Sequence, residues 1–157
     1  MNKFVFCGDD ILYNRFRDFY TEVDENGNAY SHFDKQLYDF YHLNNRDYIN
    51  VFINSIDGVR NVGDVLIQKS WYTNKQLFTI LNRFKLLNPN ANVIVCMDVS
   101  LKKYEVFMSE VVTRQLGFIA TSEQEVDDLF ANNFNVYQDN YVLKKIKRKQ
   151  LKKMLDT

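Results

Sequence analysis

Carboxylate residues stand directly after two apolar runs of the chain. Asp9 and Asp10 follow the run KFVFC with a single glycine between, and Asp98 follows the run VIVCM. Carboxylates at the ends of neighbouring strands, completed by water, are the ligands that Mg²⁺ prefers. A Mg²⁺ ion held there can support phosphoryl-transfer or nuclease chemistry. Asp9 or Asp10 could instead cap the first turn of a following helix. The pattern allows a magnesium site at Asp9, Asp10 and Asp98, or helix capping alone.

Other catalytic patterns are missing from the sequence. No P-loop or GxGxxG motif follows the first apolar run, which disfavours nucleotide binding through those motifs. The two histidines, His32 and His42, lie in the most weakly patterned part of the chain, so no general base accompanies the carboxylates. Cys7 and Cys96 each lie inside an apolar run without metal-ligand spacing, which indicates buried reduced thiols. The sequence therefore leans away from an enzyme.

Short apolar runs alternate with helical periods along the chain. Strands are predicted at 3–7, 29–33, 48–56, 93–97 and 118–121, and helices at 10–20, 34–43, 74–87, 101–116 and 122–133. A loop with a short helix is predicted between 57 and 72. A hairpin over residues 19–33, turning at Asn26 and Gly27, is the alternative to a strand at 29–33.

Continuous apolar strands separated by helices are typical of a parallel sheet covered on both faces. We therefore expect a single three-layer α/β/α domain with a doubly wound, mostly parallel five-stranded sheet in the flavodoxin-like order 2-1-3-4-5. This domain would comprise residues 1–134, and residues 135–157 would form a basic amphipathic tail or helix. In such sheets the working site lies at the carboxyl ends of the strands, where the carboxylates are expected.

The order of elements and the acidic pair after the first strand resemble the receiver domain of bacterial two-component response regulators. The segment FVFCGDDILYNRF is similar to the opening of that family, in which such a pair helps to bind Mg²⁺. The segment LGFIATSEQEVDDLF is similar to its last strand and helix. The resemblance covers residues 3–133 and implies a flavodoxin-like fold with a phosphate site at the strand ends.

Three functional positions depart from the family pattern. The family has a phosphoacceptor Asp at the end of the third strand, and the matching position of YINVFINSI holds Asn54, whose amide cannot serve as the nucleophile. The family hydroxyl position aligns near Asp98, and the family Lys would fall at Ser122 or Glu123. The resemblance therefore implies a degenerate pseudo-receiver that is not phosphorylated in the usual way. Asp57 could replace the missing acceptor only if its loop swung inward; a turn residue is the simpler interpretation.

The C-terminal segment YVLKKIKRKQLKKMLDT is strongly basic. Its apolar residues recur at helical spacing, which favours an amphipathic helix. Such a run concentrates positive potential and could contact nucleic acid or an acidic partner, or could pack its apolar stripe on the domain or on another copy. The candidate contact residues are Lys144, Lys145, Lys147, Arg148, Lys149, Lys152 and Lys153.

The leading hypothesis is a non-enzymatic regulatory or protein-interaction module that acts without phosphorylation, as a homodimer or by docking a protein partner through residues 100–133. One alternative is a nucleic-acid-binding accessory protein of a plasmid, phage or other mobile element, and another is a Mg²⁺-dependent phosphate-handling enzyme. A formal net charge of zero argues against a surface built wholly for nucleic acid. Abundant Asn, Lys, Phe and Tyr favour a low-GC bacterium, or a plasmid or phage of one, as the source. With no apolar stretch near the ~20 residues of a membrane span and no signal-peptide pattern, we expect a cytoplasmic protein.

Overall fold

The computed structural model describes residues 3–19, 21–23, 25–27, 29–31, 39–136 and 138. Its strands are β1 (Lys3–Cys7), β2 (Thr21–Val23), β3 (Ala29–Ser31), β4 (Asp39–Leu43), β5 (Val62–Gln68), β6 (Asn92–Cys96) and β7 (Phe118–Ala120). Its helices are α1 (Asp10–Phe19), α2 (Arg46–Asn54), α3 (Ile56–Val59), α4 (Asn74–Leu87), α5 (Glu105–Thr113) and α6 (Glu123–Ala131). Short 3-10 turns, Lys69–Trp71 and Leu101–Tyr104, follow β5 and precede α5.

The main sheet has five parallel strands in the order β4-β1-β5-β6-β7. Counted along the chain among the sheet strands, this is the order 2-1-3-4-5, so the predicted flavodoxin-like topology is confirmed. Two separate apolar clusters cover the sheet, one packing against α2, α4 and α5 and the other against α1 and α6. The predicted three-layer α/β/α arrangement is therefore also correct.

The second and third sheet strands are not where the sequence patterns placed them. Residues 48–56 were expected to be a strand, but α2 occupies most of that segment, and its side chains Ile49, Phe52 and Ile53 are buried at helical spacing. Asn45 caps this helix by accepting a hydrogen bond from the Asp47 amide, which favours the helix over a strand.

The strands themselves come from segments that had been predicted as a helix and as a loop. Strand β4 lies in the predicted helix 34–43, and β5 lies in the predicted loop 57–72. The alternative of a hairpin is confirmed: β2 and β3 pair antiparallel, and Gly27 has a φ of 80° in the turn between them. A left-handed φ of this kind favours glycine.

Candidate site at the carboxyl ends of the strands

Asp9 caps the first helix. Its Oδ1 accepts a hydrogen bond of 2.7 Å from the Leu12 amide, and its carbonyl accepts the first helical bond, 3.0 Å from the Tyr13 amide. A carboxylate in this position satisfies an otherwise unpaired amide and interacts favourably with the helix dipole. Capping, one of the two roles considered for this residue, is therefore present in the structure.

Asp10 does not share the environment of Asp9. Its side chain is exposed on the first turn of α1, and its Oδ1 accepts a hydrogen bond of 3.3 Å from Asn44, just after β4. Asp10 therefore interacts with the end of β4, whereas Asp9 interacts with the end of β5.

Asp98 lies beyond the end of β6 and is bound by residues that follow β5. Its Oδ1 accepts a hydrogen bond of 2.9 Å from the Ser70 amide, and its Oδ2 accepts one from the Ser70 hydroxyl. A third bond, of 2.8 Å, comes from Gln68 Nε2 to Oδ2. These contacts join the ends of two neighbouring strands.

Gln68 is the residue at the centre of the site, although no sequence pattern identifies it as a site residue. Its side chain is buried, and Nε2 donates to Asp9 Oδ2 at 3.0 Å as well as to Asp98. Its Oε1 accepts a hydrogen bond of 2.9 Å from the Asp9 amide. A single neutral amide therefore lies between the two carboxylates and bonds to both.

Gly8 makes room for this arrangement. A Cβ atom at this position would lie 2.9 Å from Phe6 Cε1 and 3.2 Å from Gln68 Oε1. A side chain at residue 8 would therefore force the Phe6 ring and the Gln68 amide to shift, and glycine avoids this crowding.

The donor set of the site does not suit Mg²⁺ as it is arranged. The hydrogens of the Gln68 amide point at the carboxylate oxygens that a cation would need, and a cation cannot share that position with an NH₂ group. Within the described part of the chain, no group of three or more His, Cys, Asp or Glu side chains is placed to hold a metal ion. The arrangement binds the strand ends to one another through hydrogen bonds.

Asn54 was aligned with a strand end, and that alignment is wrong. Asn54 is the last residue of α2, where its exposed side chain donates to the Asn50 carbonyl at 2.8 Å. The third sheet strand ends instead at Gln68, which also carries an amide. Asp57 does not approach the site either, because its carbonyl accepts a hydrogen bond from Lys3 at the opposite end of β1.

Ser122 and Glu123 act locally at the start of α6. Ser122 Oγ accepts a hydrogen bond of 3.2 Å from the Glu125 amide and so caps the helix. The Glu125 carboxylate accepts from the amide and hydroxyl of Thr121. Glu123 forms an ion pair of 2.8 Å with Arg15 of α1.

Lys69 is a second residue of this region that no sequence pattern identifies. It is only 1% exposed, its Nζ donates to the Tyr72 carbonyl at 3.0 Å, and it lies 4.3 Å from the centre of the Tyr104 ring. A second ring, that of Phe107, is 5.0 Å away. Burial lowers the pKa of Lys69, and the Asp98 carboxylate acts in the opposite direction. Lys69 is thus a buried cation that fixes the segment after β5 against α5.

His42 lies nearer to the carboxylates than the sequence patterns indicated. Its Nε2 is 2.8 Å from the Gly8 carbonyl; since a carbonyl oxygen only accepts, Nε2 carries the hydrogen. The ring stacks on Tyr13 with 4.2 Å between centroids. These contacts give His42 a packing role at the end of β4. His32 lies outside the described residues.

The two cysteines are free and buried, as predicted. Cys7 belongs to the apolar cluster on one face of the sheet and Cys96 to the cluster on the other. Burial raises the pKa of both thiols. Both therefore behave as small apolar core residues.

The basic residues of the C-terminal segment, from Lys144 to Lys153, lie outside the described residues. The expectation that they contact nucleic acid or an acidic partner therefore remains a prediction. Among the helices that the structure describes, none combines the length and the apolar character needed to cross a bilayer. Comparison with known proteins found no matching family model, no matching curated protein and no matching solved structure.

Proposed function

We propose that this chain is a non-enzymatic regulatory or protein-interaction module with a receiver-like architecture, and that it works without phosphorylation or a bound metal ion. The hydrogen bonds of Gln68 with Asp9 and Asp98 would hold the carboxyl ends of β1, β5 and β6 in a fixed arrangement. This arrangement would set the shape of the surrounding surface. The protein would recognise a partner, or a second copy of itself, through the helices on either side of β7.

One observation carries this proposal: the position of the Gln68 amide between Asp9 and Asp98. The amide bonds to both carboxylates and offsets their repulsion without a cation. It also occupies the end of the third sheet strand, where a phosphoacceptor would need a carboxylate nucleophile. A buried and fully bonded amide is a stable structural group and a poor reactive one.

The proposal is tested by treating the full-length chain with a small phosphodonor such as acetyl phosphate in the presence of Mg²⁺. We expect an unchanged intact mass, and we expect no binding heat when millimolar Mg²⁺ is titrated into the wild-type protein in a calorimeter. A phosphorylated species, or saturable Mg²⁺ binding by the wild type, would contradict the proposal.

The matched control is Gln68→Glu, which replaces the amide by a carboxylate of nearly the same shape. Three carboxylates would then face one another, and the variant should bind Mg²⁺ and be stabilised by it against heat. This variant shows that the assay can detect a metal at the strand ends. If Gln68→Glu and the wild type responded alike to Mg²⁺, the amide would not be what keeps the cation out.

A further inference from the structure

The C-terminal part of the chain is attached to the outer edge of the sheet at Gln138. This residue is 5% exposed, and its side chain pairs with both backbone groups of Ile119 in β7. Ile119 N donates to Oε1 at 2.5 Å, and Nε2 donates to the Ile119 carbonyl at 2.8 Å. The amide thus satisfies backbone groups of an edge strand that would otherwise be open to pairing. Residue 138 therefore belongs to the folded domain, and the segment that follows starts from a fixed point.

A cavity of about 430 Å³ opens at this fixed point. Its wall includes Val136 and Gln138 themselves. The rest of the wall includes Lys85 in the last turn of α4, Asn90 in the loop that follows, and Val112 and Thr113 at the end of α5. The cavity lies beside the starts of β6 and β7, whereas the carboxylates lie at the carboxyl ends of the strands.

The cavity wall combines apolar side chains with backbone carbonyl groups. The carboxyl end of a helix carries a partial negative charge, and the ends of α4 and α5 lie beside the cavity. Lys85 Nζ donates at 3.0 Å to the carbonyls of Pro89 and Ala91 in the loop after α4, and burial lowers the pKa of this lysine. A segment with apolar side chains and flanking cations would place its apolar groups in the cavity and keep its cations at the rim.

The segment that begins at the cavity has this composition. Residues 139–157 contain seven Lys or Arg and two acidic residues, whereas residues 1–138 contain thirteen basic and eighteen acidic residues. The two parts therefore carry formal net charges of +5 and −5. Val142 and Ile146 lie four residues apart, on one side of a helix if one forms.

We propose that residues 139–157 dock on their own domain in the cavity between the ends of α4 and α5. Val142 and Ile146 pack against Val112 and Val136, and the basic side chains interact with the helix ends and with the acidic domain. While the segment is docked, its basic side chains are not available to other acidic ligands. This inference concerns the amino-terminal ends of β6 and β7, at the other end of the strands from the carboxylates. The cavity wall shares Val112 and Thr113 with the proposed interaction surface over residues 100–133, but the inference does not depend on that function.

Hydrogen exchange measured by mass spectrometry on the full-length chain tests this docking, with a synthetic peptide of residues 139–157 as the reference. At about 0.05 M salt we expect the backbone amides of the segment to exchange about tenfold more slowly than in the free peptide. The protection should be independent of protein concentration. It should fall towards the free-peptide rate at about 0.5 M salt.

A charge placed on the cavity wall provides the specific test. Thr113→Lys adds a cation at the wall and should remove most of the protection. Thr79→Lys is the matched control, because Thr79 is also an exposed helical threonine whose hydroxyl bonds to the carbonyl four residues earlier, and it does not line the cavity. The Thr79 variant should exchange as the wild type does.

Three results would overturn the proposal. The segment could exchange as fast as the free peptide at low salt. Its protection could rise with protein concentration, which would indicate docking on a second copy. It could be protected only after addition of a double-stranded DNA oligonucleotide, which would favour a nucleic-acid partner for the basic residues.

Discussion

Three buried side-chain amides join parts of this chain that are far apart in sequence. Gln68 connects the ends of β1, β5 and β6, and Gln138 connects the C-terminal segment to β7. Asn88 donates to the Val59 carbonyl at 2.8 Å and accepts from the Val62 amide at 3.1 Å, which ties α4 to the start of β5. An amide suits these places because it presents a donor and an acceptor together without the cost of burying a charge.

Tyr72 differs from these three amides in the hydrogen bonding of its buried polar group. Among the described residues, its hydroxyl is the buried side-chain polar atom for which no hydrogen-bond partner is found. We expect Tyr72→Phe to raise the free energy of unfolding by about 1 kcal/mol, because an unpaired buried hydroxyl costs free energy that the phenyl ring avoids. Urea denaturation followed by circular dichroism measures the change.

Tyr41→Phe is the control for this substitution. The Tyr41 hydroxyl donates to Asp39 at 3.0 Å in an exposed pair, so its loss should leave stability unchanged or lower it by about 0.5 kcal/mol. A Tyr72 variant less stable than the wild type would show that the hydroxyl has a bonding role.

At the scale of elements, the sequence predicted the parallel architecture correctly but misplaced two of its strands. The run YINVFINSI has the composition of a strand, and its helical form depends on the cap at Asn45 and on burial of one face against α4. Strand β5 was hidden because Gly63 and Asp64 interrupt its apolar pattern. In the fold, Asp64 is buried and accepts a hydrogen bond of 3.1 Å from Asn92 on the neighbouring strand, a contact that no local pattern reveals.

The misplaced third sheet strand also explains why only part of the site was predicted from the sequence. Asp9 and Asp98 were identified because each follows a strand that was predicted correctly. Gln68 and Lys69 follow the strand that was missed, so neither could be assigned to the strand ends. Gln68 bonds to Asp9, 59 residues away, and to Asp98, 30 residues away, and Lys69 lies over the distant Tyr104 and Phe107 rings.

Helix α5 carries a testable part of the predicted interaction surface. Its buried side chains Phe107, Met108 and Val111 face the core, whereas Val106 is 72% exposed. If the surface over residues 100–133 mediates self-association, Val106→Asp should raise the dissociation constant of the complex by about tenfold or more, because it removes apolar contact and buries a charge. Sedimentation equilibrium of the full-length chain measures this constant.

Val51→Asp is the matched control on another face. Val51 lies on α2 and is 71% exposed, so the substitution makes the same chemical change at nearly the same exposure. It should leave association unaltered. A wild-type protein that stays monomeric at all concentrations, or equal effects of the two substitutions, would argue against this surface.

At the scale of the whole molecule, the buried thiols make stability depend on alkaline pH. Burial raises the pKa of Cys7 and Cys96 above their usual 9.0. Above pH 9 the unfolded chain therefore loses thiol protons that the folded chain retains. Because the unfolded state then binds fewer protons, the free energy of unfolding falls as the pH rises.

The Cys7→Ala/Cys96→Ala variant isolates this contribution. Above the usual thiol pKa its free energy of unfolding should fall less steeply with pH than that of the wild type, by up to about 1.4 kcal/mol per pH unit for each thiol removed. Lys69, Lys85 and Tyr72 also titrate differently on unfolding, but they are present in both proteins. Denaturant titrations between pH 8 and 10.5 give the two slopes, and parallel slopes would contradict the assignment.

The single tryptophan of the chain lies on the turn that follows β5. Trp71 is half-buried and adjoins Ser70, whose amide bonds to Asp98, and its ring lies 6.4 Å from that of Tyr72. Any event that separates the ends of β5 and β6 must move this turn and change the surroundings of the indole. Trp71 is therefore an intrinsic fluorescent probe of the ends of β5 and β6. The emission spectrum of the indole can report the binding of a partner or a cation there, or a substitution, without any added label.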